Sequence, residues 1–72
     1  MQNEIRKQTG LIVRRNGEYM VGRILGSREL RWSVSPYDAW WTRDRDKAEY
    51  WARKTGGIVM MFNKATGEKA VL

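Results

Sequence analysis

The sequence predicts an α+β fold: one small domain of order β-β-β-α-β-β, with a mainly antiparallel sheet and one helix packed on one face. Three observations lead there. Two β-rich runs flank Asn16-Gly17 in LIVRRNGEYMVGRIL, an amphipathic segment ends at Gly56-Gly57, and the apolar run IVMMF follows at once. Residues 1–72 leave room for one domain, and a chain of this size buries only about 60% of the surface its unfolded form exposes. Residues 1–9 are expected to form a flexible or loosely attached N-terminal segment.

The first hairpin follows from Asn16-Gly17, because a type I′ turn needs positive φ at both central positions. A two-residue loop fixes the register, so Arg15 faces Glu18, Arg14 faces Tyr19, Val13 faces Met20 and Ile12 faces Val21. Alternation then puts Leu11, Val13, Met20, Gly22 and Ile24 on one side of the sheet, and Ile12, Arg14, Tyr19, Val21 and Arg23 on the other.

After Gly26-Ser27, LRWSVS alternates as a third strand, with Leu30, Trp32 and Val34 inward and Arg31, Ser33 and Ser35 outward. Pro36 ends it, since proline cannot donate to a ladder. Residues Tyr37 to Trp41 are a crossing segment from sheet to helix. Asp38, just after Pro36, is placed to cap a turn by accepting backbone N–H bonds.

Thr42 is the expected N-cap of a helix running from Arg43 to Thr55, with Asp44 and Asp46 at its positive end and Lys54 at its negative end. Lys47, Ala48, Trp51, Ala52 and Thr55 share one face, and Arg45, Glu49 and Arg53 line another as i, i+4 neighbours. IVMMF then reads as a central strand, NKATGE as a loop with Gly67 at a bulge, and EKAVL as a fifth strand.

Composition narrows the function. There is no Cys and no His, which removes disulfides, Cys/His zinc sites and the usual side chain for proton transfer near neutral pH. A Ser nucleophile would lack its activating base. Asp44, Asp46 and Glu49 are interleaved with basic residues and read as solvated helix charges, and no glycine pattern matches a phosphate loop. Neither an enzyme nor a cofactor or metal is therefore expected. No apolar run approaches a membrane span and the N-terminus lacks a signal-peptide stretch, so the reading is a soluble, cytoplasmic protein without a membrane partner.

Fourteen Lys and Arg against eight Asp and Glu give a net charge of +6, spread along the chain. Such an excess favours anionic partners, either nucleic acid or an acidic protein surface.

The run RWSVSPYDAWWTRDRDKAEYWARKTGG, followed by MFN and TGE, resembles small uncharacterised proteins encoded in bacteriophages and prophages of Gram-positive gut bacteria. The resemblance implies a mobile-element context and a protein that acts by binding. It supplies no catalytic or binding residues.

Two binding readings follow. In one, the sheet face opposite the helix holds nucleic acid, with Arg14, Arg23 and Arg31 as a basic row, Tyr19 as a stacking ring, and Ser33 and Ser35 as phosphate donors. Solubility alone also accounts for arginines on a half-apolar face. In the other, the chain is an adaptor or inhibitor that docks a protein through Trp40 or Trp41 with Arg43 and Arg45, or a homodimer formed through that half-apolar face. In an extended segment Trp40 and Trp41 point oppositely, so one enters the core beside Trp32 and Trp51 and the other lies nearer the surface. The sequence leaves open which.

Overall fold

Local turn chemistry dictates the start of the fold. In the computed structural model, which describes residues 8–72, Asn16 and Gly17 take φ of 51° and 80° between β1 (Thr9–Arg15) and β2 (Glu18–Arg23). The predicted register Arg14↔Tyr19 and Arg15↔Glu18 results. Residues 1–7 of the expected loose segment lie outside the described residues, whereas Thr9 already belongs to β1 and pairs with Asn63.

Three further strands complete an antiparallel sheet: β3 (Leu30–Ser33), β4 (Ile58–Asn63) and β5 (Lys69–Val71), in the spatial order β3-β2-β1-β4-β5. The one α-helix among the described residues, α1 (Arg45–Thr55), packs over β1 and β4. The architecture is the α+β layer expected, with one addition. A 3-10 turn at Pro36–Asp38 precedes the helix where the sequence reads only a crossing segment.

Ser33, Ser35 and Asp38 build that turn. Ser35 Oγ accepts from the Tyr37 N–H, Ser33 Oγ accepts from the Ser35 N–H, and the Ser33 hydroxyl donates to Asp38 Oδ2 at 2.9 Å. Asp38 thus accepts a hydrogen bond from a side-chain hydroxyl, and Ser35 takes the backbone-capping role expected of Asp38. Because β3 stops at Ser33, Val34 leaves the ladder and is 80% exposed instead of facing inward. Ile24 likewise lies beyond β2 and is half-exposed.

The helix begins two residues later than predicted. Asp44, with extended backbone, is the N-cap, its Oδ1 accepting from the Asp46 and Lys47 N–H groups at 3.0 and 3.3 Å. Thr42 Oγ1 instead accepts from the Asp44 N–H, one step upstream. The carboxylate wins because it carries full charge at the positive end of the helix dipole. Gly56 closes the helix in the left-handed conformation.

Both faces of the sheet are covered. Alternation sends Val13, Met20 and Val59 toward the helix, where Ala52, Trp51, Trp32 and Leu30 meet them. Ile12, Tyr19, Met60 and Phe62 point the other way and are covered by Ala39 and Trp41 of the crossing segment, while Tyr37 meets Phe62 edge-on at 5.1 Å. The face expected to be half-apolar and open to a homodimer partner therefore carries residues 37–41.

The crossing segment is also a structural seam. The ladder between β1 and β2 does not run on to Ile12 and Val21. Leu11 and Thr42 exchange backbone hydrogen bonds at 2.7 and 3.0 Å, and the Trp40 N–H donates to the Met20 carbonyl at 2.8 Å. Residues 40–42 thus fill the gap where β1 and β2 splay apart. Among the described residues no helix is long and apolar enough to cross a membrane.

Candidate nucleic-acid interface

The expected basic row is broken by a bulge. The register of β2 on β3 shifts between Met20 and Gly22, so that Met20 faces Trp32 but Gly22 faces Arg31 and Arg23 faces Leu30. One extra residue on β2 reverses the alternation beyond it. Arg23 is thereby carried to the helix side, its guanidinium 5.7 Å from the Trp51 ring centre. Gly22 sits at φ 148° at the shift, a conformation that side chains disfavour.

The other members of that row are scattered too. Arg14 and Arg31 remain on the face opposite the helix, but Tyr19 between them is only 3% exposed. Its ring packs in the core and its hydroxyl accepts from Lys69 Nζ at 3.1 Å. A ring so buried offers no stacking surface. Ser33 gives its hydroxyl proton to Asp38, and Ser35 is engaged in the turn.

The tryptophan pair divides as its alternation requires, and both rings are partly buried. Trp40 joins the helix-side cluster and Trp41 the opposite one. Trp41 packs on Gly10, where a Cβ would overlap its ring. Arg43 stays with Trp41 at 5.1 Å, and Lys64 lies over the same ring at 5.3 Å. Arg45 turns away to pair with Glu49 at 3.0 Å. Of the four protein-contact candidates, only Trp41 and Arg43 are brought together.

A different constellation forms where α1 faces the β2–β3 hairpin. The Arg15 guanidinium lies 4.0 Å from the Trp32 ring centre and donates to the Thr55 carbonyl at 3.3 Å. Arg23 and Lys54 approach the Trp51 ring at 5.7 and 5.8 Å, and Lys54 also lies over Tyr50 at 5.5 Å. Beside the Trp51 ring runs a groove of 190 Å³ lined by Met20, Gly22, Arg23, Leu30, Trp40 and Trp51. Its walls are aromatic or apolar, and Arg23 adds a cation to its lining.

A larger groove of 310 Å³ lies on the other side of α1, lined among others by Ala52, Val59, Val71 and Leu72. It has no aromatic wall; Arg45 and Arg53 both line it, and Arg45 is paired with Glu49. The smaller groove is the candidate site because two tryptophan rings and Arg23 line it together.

Sequence reasoning missed Arg15, Trp32, Trp51 and Lys54 as a group. The signal for Arg15 was present: it alternates with Val13 and so belongs to the helix side. Nothing in the sequence signals the bulge strongly enough to move Arg23 there.

No protein-family model matches the chain, and neither curated proteins nor solved structures provide a match.

Proposed function

We propose that this chain is a non-enzymatic basic binding module that holds single-stranded nucleic acid in the groove between α1 and the β2–β3 hairpin. The observation that carries the reading is Arg23 and Lys54 both lying over the Trp51 ring at the edge of that groove. A guanidinium or ammonium on a ring is held near the surface at small cost and turns readily to a phosphate, while the ring accepts the flat face of any base. Bases are worth roughly 1–3 kcal/mol each on such platforms. A net charge of +6 supplies the attraction to the backbone.

The test is fluorescence anisotropy of a labelled single-stranded oligonucleotide, titrated at low and at physiological salt. Affinity should fall as salt rises, and Arg23→Ala and Lys54→Ala should each flatten the salt slope by about one phosphate contact. Absent binding at low salt, or affinity indifferent to salt, removes the reading.

One observation favours a second reading. Trp41 carries Arg43 and Lys64 against its ring on the opposite face, an arrangement suited to an acidic protein surface. Loss of a protein partner on Arg43→Ala with Lys64→Ala, while oligonucleotide binding is absent, would favour it.

A further inference from the structure

The β2–β3 hairpin ends in a turn that presents one leucine wholly to solvent. Leu25 is 101% exposed and Ile24 beside it 39%. The turn is nonetheless tightly bonded: the Ile24 N–H donates to the Glu29 carbonyl, the Ser27 N–H to the Ile24 carbonyl and the Glu29 N–H to Ser27 Oγ, each at 3.0 Å. A leucine that would gain by burial is instead held out on a hydrogen-bonded support.

Its surroundings are basic. Arg23 and Arg31 lie on the two strands below it, on opposite faces of the hairpin, and Arg28 lies in the loop, against one acidic neighbour, Glu29. The tip is also continuous with the proposed site, because Arg23 and Leu30 at the base of the turn line the aromatic groove. Leu25 stands two residues beyond Arg23, at most about 7 Å of extended chain. That is about two base-stacking steps of roughly 3.4 Å.

We infer that Leu25 caps the last base pair of a duplex where a single strand emerges, so that the module recognises the junction between duplex and single-stranded nucleic acid. The inference rests on the groove binding the single strand. An apolar side chain set against a base step, with arginines on the adjoining phosphates, is a recurring way for proteins to engage a duplex. The unpaired strand leaving the last pair would meet Arg23 and then the Trp51 and Trp40 rings.

The experiment is an anisotropy titration with three labelled DNA probes: a single strand, a blunt duplex, and that duplex carrying the single strand as an overhang. The overhang duplex should bind about fivefold tighter than the single strand, and Leu25→Ala should abolish that advantage while leaving single-strand affinity unchanged. Leu25 is fully exposed, so this substitution leaves the fold intact. Equal affinity for single strand and overhang, or an advantage that survives Leu25→Ala, overturns the junction and spares the groove. Failure to bind any probe overturns both. Leu25-dependent sedimentation with phosphatidylserine vesicles, without an overhang advantage, would assign the tip to an anionic membrane and overturn the inference.

Discussion

Trp40 and Trp41, consecutive in the chain, enter hydrophobic clusters on opposite faces of the same sheet. The segment that carries them is pinned on both sides, to Met20 by the Trp40 amide and to Leu11 by Thr42. Each ring therefore closes one half of a core that a domain of this size could not complete with the helix alone.

Trp41 tests whether volume or hydrogen bonding matters in its cluster. Its Nε1–H is buried without a partner among the described residues, so the ring contributes by packing. Trp41→Ala should cost about 3 kcal/mol in urea melts and Trp41→Phe about 1 kcal/mol. Equal losses for the two would mean that the indole N–H has an acceptor.

The two cap candidates make opposite predictions. Asp44→Ala should lose about 1 kcal/mol and Thr42→Ala clearly less, because only the Asp44 carboxylate accepts from the first turn of α1. Thermal melts that reverse this order would place the cap at Thr42.

Gly22 has space for a methyl group but not the backbone for one: no atom lies within 4 Å of the added Cβ, yet φ is 148°. Gly22→Ala should therefore destabilise by about 1–3 kcal/mol through strain alone. Unchanged stability would mean that the bulge is not held at this residue.

Trp51 links stability to binding. Its ring is half-buried, so Trp51→Ala should cost about 3 kcal/mol, the lower end for an aromatic truncation, and should abolish oligonucleotide binding. Trp51→Phe should retain the fold and most of the affinity. A binding loss with Phe as complete as with Ala would show that the six-membered ring is no adequate platform.

Periodicity and turn chemistry made most of the fold legible. The Asn16-Gly17 turn, the register next to it, the Ala48/Ala52 helix face and the Gly56 stop all rest on interactions within a few residues, and the structure agrees with each. The misreadings share a different physical origin. Val34 leaves the strand because serine side chains bond the backbone in place of a ladder. Arg23 changes face because one unpaired residue inverts a period of two. Tyr19 is buried because a segment from the middle of the chain lies over it. The candidate site suffered most, since a row of side chains across three strands survives only if every register holds.

The seam at residues 40–42 has a kinetic consequence. β1 and β2 can zip their first two pairs from local information, but Leu11 finds its bonding partner only when Thr42 arrives from beyond the third strand. Closing that loop precedes any reward from the contact, which slows folding. Amide protons of Leu11, Trp40 and Thr42 should then resist hydrogen exchange together and lose protection in one step, as a lock whose three pins release at once.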